Sequence, residues 1–514
     1  MFKLLQVLLL YGWCVFSAVS AEGNTLYRWV NAQGVVTYSD LRPGTSRPTR
    51  TYGTVNTPYG PAAPLTVSAP ESPPTPFPID TASTPGHKTA ALASAAGGGV
   101  LLLRTTPTAA ASGIPPLPAR LADYNPPFPR LLGMNIGAKN YGDPAYLMQL
   151  SRLNVVILGF YKGWRAGPSA TIRSVVGALR AMNPDMLVGQ YTILSEAYDN
   201  AEKHASEKDI SDKLTKENWW VRDPAGNKVQ WTPDYQAWQT NFTTWSQPDA
   251  RGRRFPQWLA KRNYDAFFNF KPGFDIWYSD NVGATAPVGG DWKNNGRTQS
   301  RQNPAVAAAY RAGEASYWAA GRAFDPNVLM MGNADNDLSF PEYKDKLNGV
   351  FLEGLMGQPW SIVNWGGWNK MMDRYHAVFG NLLAPRIVGF NAQGSPTDYR
   401  FFRYAFTSCL MDNGYFSYTD KSVGYSSVPW FDEYDVKLGY PVDPPQKQPW
   451  QNGVYKRAFQ HGLALVNPTN TPETVSLPPN TWKHFYGSQD PMVNNGQAVT
   501  RITLPPRDGV LLVR

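Results

Sequence analysis

Two carboxylates stand at the ends of short apolar runs far apart in the chain. Asp280 closes Phe274-Asp-Ile-Trp-Tyr-Ser-Asp280, and Glu353 closes Gly349-Val-Phe-Leu-Glu353. An apolar run that stops at one polar residue is how a parallel barrel strand delivers a catalytic group to its C-terminal rim. Two acids delivered that way fit hydrolysis of a glycosidic bond. One carboxyl protonates the leaving oxygen, and the other handles positive charge at the sugar carbon. The two need opposite settings. Asp280 must stay ionised, so donors such as Asn281, Tyr278 or a backbone amide are expected around it. Glu353 must hold a proton near neutral pH, which calls for desolvation or a nearby negative charge. Trp360, Trp365 and Trp368 follow Glu353 and offer an apolar wall. A carboxyl separation of roughly 5–5.5 Å implies retention of configuration, and roughly 6.5–9.5 Å inversion.

Other polar residues close neighbouring runs and are candidate partners for sugar hydroxyls. Tyr161 and Lys162 follow the second run, Tyr191 the third, Asn281 the fourth, Asn391 and Gln393 the seventh, and Asp420 the eighth. Asp420 reads equally well as a loop cap. Trp219, Trp220 and Trp231 lie in a long insertion between Thr192 and Phe274. They are candidate stacking platforms for a sugar ring, and the competing reading is that they pin the insertion down.

Several chemistries are excluded. The chain has no Gly-x-Ser-x-Gly elbow, phosphate loop, dinucleotide fingerprint or His-Glu-x-x-His. Its five histidines have no metal-ligand spacing, so no metal and no cofactor are expected. The net charge of +9 is scattered rather than gathered into a stripe, which argues against nucleic acid as a partner. Aromatics at 13% and charged residues at 17% suit a neutral, ring-shaped ligand, so the expected partner is an oligo- or polysaccharide.

The elements that must position these groups are legible from run lengths. Residues 1–21 read as an export signal: Lys3, then apolar Leu4 to Val15, then Ala18-Val-Ser-Ala21. That core is too short for a membrane anchor, and a periplasmic or extracellular location is expected. Residues 22–56 form a small module with a β-hairpin about Asn31-Ala-Gln-Gly34. Residues 57–125, rich in Pro, Ala, Thr and Ser, read as a tether. Residues 126–445 carry eight apolar runs alternating with helical stretches: Leu131–Ile136, Asn154–Phe160, Met186–Thr192, Phe274–Asp280, Val328–Gly332, Gly349–Glu353, Arg386–Phe390 and Gly414–Tyr418. The pattern predicts a TIM-type (β/α)₈ barrel. Helix starts are expected at Asp143-Pro144, Asn303-Pro304 and Ser395-Pro396. Residues 446–514 are strand and turn only, and predict an antiparallel β-sandwich.

Two resemblances add to this reading. Tyr27, Arg28, Trp29, Gly34, Tyr38, Ser39 and Asp40 resemble the hallmark of domain of unknown function 4124, a module of exported proteins. Pro126 to about Val436 is similar to hypothetical glycosyl hydrolase family 15, bacterial (β/α)₈ proteins laid out like retaining α-galactosidase barrels. That likeness implies a nucleophile ending the fourth strand, where Asp280 stands, and an acid/base ending the sixth, where Glu353 stands. The α-galactosidase relatives carry Asp at the second place, so Glu353 departs from them. Amylase-like barrels take the acid/base from the fifth strand, which makes Asp335 the rival to Glu353. The function expected is an exported glycoside hydrolase. Two other classes stay open: a non-catalytic sugar-binding barrel, and an envelope scaffold that docks a partner through its hairpin.

Overall fold

A computed structural model of the chain describes residues 14–21, 24–30, 36–39, 116–199, 204–232, 237–334 and 338–514. The chain divides into two compact units between Thr108 and Ala109. In the first, Cys14–Ala21, Asn24–Val30 and Val36–Ser39 form a three-stranded antiparallel sheet. Tyr27 stands opposite Ser39 and Trp29 opposite Thr37. The strand Cys14–Ala21 covers the second half of the predicted export signal. The expected hairpin turn and residues 57–115 of the tether lie outside the described residues.

The second unit holds eight parallel strands: β1 Leu132–Asn135, β2 Val155–Leu158, β3 Leu187–Ile193, β4 Ile276–Val282, β5 Leu329–Ala334, β6 Gly349–Met356, β7 Ile387–Gly394 and β8 Tyr415–Asp420. Each pairs with the next in sequence, and a parallel bridge from Leu131 to Phe416 joins the last to the first. Every predicted run forms one of them. The strands are buried on both faces, as continuous apolar segments demand. Alternate residues point inward. Met134, Ile157, Leu187, Tyr278, Met331 and Phe351 belong to the cluster that fills the barrel. Their neighbours Val156, Val188, Trp277, Met330 and Leu352 belong to the layer shared with the helices. Continued by two residues at a time, the inward phase of six strands reaches Tyr191, Asp280, Asn333, Glu353, Asn391 and Thr419. All are polar and together form the last inward layer.

Helices begin where short polar caps precede proline. Asp143 accepts from Ala145 N at 2.9 Å ahead of Pro144–Leu150, and Asn303 accepts from Ala305 N at 2.9 Å ahead of Pro304–Phe324. The third expected start shifts. Helix Tyr399–Leu410 is capped by Asp398, which accepts from Phe401 N at 3.0 Å. Ser395 instead closes the preceding turn by accepting from Thr397 N. Helix Pro304–Phe324 touches the insertion at Gly313, where an added Cβ would lie 1.7 Å from the Phe242 carbonyl oxygen. Gly313→Ala must therefore push helix and insertion apart. Overpacking of this kind costs about 3 kcal/mol, and calorimetry is expected to record a Tm lowered by several degrees.

Residues 116–125, which composition assigns to the tether, close the floor of the barrel. Helix Ala119–Ala122 buries Leu121 among the inner cluster, with Leu117 and Tyr124 beside it. Tyr124 donates to Asn154 O at 2.7 Å. Arg120 and Arg180 both pair with Asp275, which also accepts from Val188 N at 3.0 Å. Composition misjudges this stretch because three apolar side chains suffice once a barrel mouth is there to receive them.

The C-terminal strands are β9 Tyr455–Ala458, β10 Gly462–Asn467, β11 Glu473–Ser476, β12 Trp482–His484, β13 Ala498–Val499, β14 Arg501–Leu504 and β15 Asp508–Val513. They form a five-stranded antiparallel sheet in the order β9-β10-β15-β12-β13, and β11 pairs with β14. The sheet packs on helix Tyr399–Leu410. Buried Arg403 donates Nε and Nη2 to the two oxygens of Asp508, each at 3.1 Å.

Candidate active site

Asp280 and Glu353 both sit at breaks in strand register rather than at strand ends. On β4 the ladder to β5 shifts between Ser279 and Val282, and Asn281 takes a left-handed backbone with φ of 61°. On β6 the ladder to β7 shifts between Leu352 and Met356, and Gly354 has φ of 54°. Such bulges re-aim a side chain beside a functional site. A Cβ on Gly354 would also lie 2.3 Å from the Trp360 ring, so only glycine fits there.

The side chains converge on one amide. Asn333 Nδ2 donates to Asp280 Oδ1 at 3.1 Å and to Glu353 Oε2 at 2.7 Å. Laid end to end, these lengths put the two oxygens at most about 5.8 Å apart. Asp280 Oδ1 also accepts from Asn281 N at 3.0 Å, and Oδ2 accepts from the Tyr191 hydroxyl. Glu353 Oε1 accepts from the Tyr425 hydroxyl. Tyr278, an expected donor, instead stacks on Tyr191 with centroids 5.8 Å apart.

A buried frame holds this constellation. Past Asp280, Gly283 N donates to Glu314 Oε1 at 3.0 Å, and Tyr343 donates to Gly283 O at 2.7 Å. Past Glu353, Gly354 N donates to Asn391 Oδ1 at 2.9 Å, and Asn391 Nδ2 donates to Thr419 Oγ1 at 3.0 Å. Gln393 Nε2 bridges Asn391 Oδ1 at 3.2 Å and the Tyr425 hydroxyl at 3.3 Å. Asn391 thus supports the strand that carries Glu353.

Burial pushes the Glu353 carboxyl above its ordinary pKa, and the charge of Asp280 pushes it further, against the donors Tyr425 and Asn333. Burial and then Asp280 hold the Tyr191 phenol far above its usual value, so it stays a donor. A third carboxyl, Glu196, is also raised by burial, while hydrogen bonds from Trp231 and Asn281 oppose the shift. Trp231 Nε1 donates to its Oε2 at 2.6 Å, which holds a 41% exposed indole over this side of the site.

A raised carboxyl means that the fold binds this proton more tightly than the unfolded chain does. The stability it contributes is complete below the ordinary carboxylate pKa and is lost as pH climbs through the raised one. Glu353→Gln cannot lose it, because a glutamine accepts from Asn333 and donates to Tyr425 at every pH. At pH 8 the variant is expected to melt a few degrees above the parent, and the gap is expected to narrow at pH 4 in a pH series of thermal melts.

The remaining predicted residues fall elsewhere. Trp219 and Trp220 are not platforms. They are 0% and 2% exposed, and their indoles donate to Gln247 O at 2.7 Å and Thr215 Oγ1 at 3.0 Å. The insertion is long enough to need its own core, and its largest apolar side chains supply it. Lys162 pairs with Asp209 at 2.8 Å, and Tyr161 is exposed; neither bonds to the two carboxylates. Asp420 caps its own loop, accepting from Ser422 N at 2.8 Å and from Ser422 Oγ at 2.7 Å. Trp365 is 58% exposed with Lys370 Nζ 4.3 Å over its ring, and Trp368 donates into the helix layer at Ser408. Asp335 lies outside the described residues.

Sequence reasoning missed Asn333, Tyr425 and Glu196. Asn333 carried a usable signal, since it stands two residues past inward Met331. Tyr425 sits in a turn and Glu196 in the two-residue strand Glu196–Ala197, both too short for periodicity to give a side chain's direction.

Several solved structures and two family models match the chain. The glycoside hydrolase domain of PelA from Pseudomonas aeruginosa is similar at 14% identity, over 59% of this chain and 99% of that one, with a TM-score of 0.37. The GH36 alpha-galactosidase AgaA from Geobacillus stearothermophilus is similar at 10% identity, over 76% and 56%, with a TM-score of 0.39. An alpha-amylase from Anoxybacillus is similar at 8% identity, over 75% and 97%, with a TM-score of 0.40. No curated protein matches the chain. Residues 14–76 match domain of unknown function 4124. Residues 180–463, from helix Ile172–Met182 through β10, match a family model over more than half of the chain, and the protein belongs to hypothetical glycosyl hydrolase family 15.

Proposed function

We propose that the protein is an exported glycoside hydrolase that cleaves a polysaccharide with retention of configuration. The observation that carries this reading is the single amide of Asn333 reaching both Asp280 and Glu353. In the first step an Asp280 oxygen attacks the anomeric carbon as the glycosidic C–O bond breaks, and Glu353 gives its proton to the departing oxygen. In the second step Glu353, now ionised, takes a proton from water. The hydroxide equivalent attacks the same carbon, and Asp280 leaves as a carboxylate.

The environments divide the roles. Three donors face Asp280, the Tyr191 hydroxyl, Asn281 N and Asn333 Nδ2. Burial and the charge of Asp280 raise the Glu353 carboxyl, in the direction a general acid needs. The half-exposed indole of Trp231, bonded to Glu196, supports a role as a sugar platform. Export follows from the N-terminal run Lys3 to Ala21. The test is a screen of soluble polysaccharides for new reducing ends with the purified full chain, with Asp280→Asn as the control. Cleavage that persists unchanged in the control refutes the assignment. Sugar binding without turnover on every glycan favours a lectin-like role instead.

A further inference from the structure

The floor of the barrel carries a second cavity, on the face opposite Asp280 and Glu353. Its volume is about 500 Å³, within the roughly 300–1,000 Å³ typical of small-molecule sites. It is lined by residues that precede strands: Arg130 before β1, Arg386 before β7, and Asp412 and Asn413 before β8. Tyr124, Phe379, Tyr415 and Tyr440 supply aromatic walls.

Its charge is unbalanced. Arg130 donates only to neutral groups, the carbonyls of Pro126 and Asn413 and the side chain of Asn125. Arg386 spends Nε on Leu382 O at 3.1 Å, and its terminal nitrogens have no partner among the described residues. Lys447 has none either. The one carboxylate in the lining, Asp412, is already engaged. Its Oδ2 lies 2.6 Å from His376 Nδ1, and its Oδ1 accepts from Asn413 N at 2.7 Å. Both members of that pair are almost fully buried, at 5% and 6% side-chain exposure. Asp412 holds the imidazole through Nδ1, and Nε2 has no partner among the described residues. The Tyr415 hydroxyl, on a residue only 1% exposed, is likewise without a partner there. These polar atoms open onto the cavity, so a ligand seated there would meet them.

The complement of this set is specific. Two free cationic heads ask for an oxyanion. The open imidazole nitrogen and a phenol ask for hydroxyls. Aromatic walls ask for a ring. The geometry points to a second sugar site, separate from the hydrolytic one, that takes a sugar bearing an oxyanion: a carboxylate, as in a uronic acid, or a phosphate ester. Such a site holds an anionic glycan at the floor without cleaving it. It stands whether or not the barrel proves to be a hydrolase.

The test is titration calorimetry on the full chain with galacturonate, glucose 6-phosphate, glucose and inorganic phosphate as probes. Arg386 and Lys447 are surface-exposed, so the double variant Arg386→Ala/Lys447→Ala should keep the fold, checked by its circular dichroism and Tm. The expected result is binding of galacturonate or glucose 6-phosphate at least tenfold tighter than glucose. That binding should weaken at least tenfold in the double variant and stay unchanged in Asp280→Asn. The tighter of the two anionic sugars names the source of the oxyanion. Three outcomes overturn the proposal: glucose binding as tightly as the anionic sugars, inorganic phosphate matching both of them, or affinity lost in Asp280→Asn and kept in the double variant.

Discussion

Asp280→Asn is expected to lower glycan turnover by three orders of magnitude or more, with little change in stability. The substitution keeps the size of the side chain and its contacts with Tyr191, the Asn281 amide and Asn333. It removes the negative charge, so neither a covalent bond to the sugar nor stabilisation of its cationic transition state remains. Loss of a nucleophile that works as part of a unit costs about as much as loss of the unit, on the order of 10⁴–10⁶ in kcat for a comparable triad. Substrate affinity should survive, since the surrounding donors are intact. Initial rates and binding on one identified glycan check both halves. A fall in rate below tenfold removes Asp280 from the chemistry.

Glu353→Gln should give the second largest effect, and one that depends on the leaving group. General acid catalysis contributes typically 10²–10⁴-fold, and all of it is needed when the departing oxygen is a poor leaving group. A sugar alkoxide therefore loses that factor in the variant. A dinitrophenolate leaves without protonation, so cleavage of the matching aryl glycoside should start with a nearly normal burst and then stall. The stall reflects the missing base for the water step. The parent should also lose activity on the alkaline side as Glu353 gives up its proton, above the ordinary carboxylate range because burial and Asp280 raise it. The variant should lack that limb. Equal losses on both substrates, with the alkaline limb intact, would shift the acid/base role away from Glu353.

The barrel was legible because a parallel strand must be apolar on both faces. Eight such runs between capped helices leave few other folds. Asp280 and Glu353 were legible for the same reason, since each interrupts an apolar run. What misled was the idea that the polar residue ends the strand. β6 continues past Glu353 to Met356, and β4 continues past Asp280 to Val282, because a register shift lets each strand carry its acid and go on. The tryptophans misled for a different reason. Aromatic content cannot separate a ring that stacks on ligand from one that fills the core of an insertion, and Trp219 and Trp220 do the latter. Trp231, from the same insertion, is 41% exposed, with its indole nitrogen donating to the Glu196 carboxylate. Glu196 lies 35 residues earlier in that insertion, too far along the chain for local sequence to indicate the pairing.

The floor helix Ala119–Ala122 has a bearing on where the barrel unit begins. Its Leu121 is as much a part of the barrel filling as Met134 or Phe351, although it precedes the first strand and follows a proline-rich stretch. A fragment cut at the first strand would leave the lower ends of the inner cluster open to water and Asp275 without Arg120. The autonomous folding unit therefore starts inside what composition marks as spacer. Tension carried along the N-terminal stretch would first reach this stopper and the Arg120–Asp275 ion pair, at the end of the barrel remote from the two carboxylates.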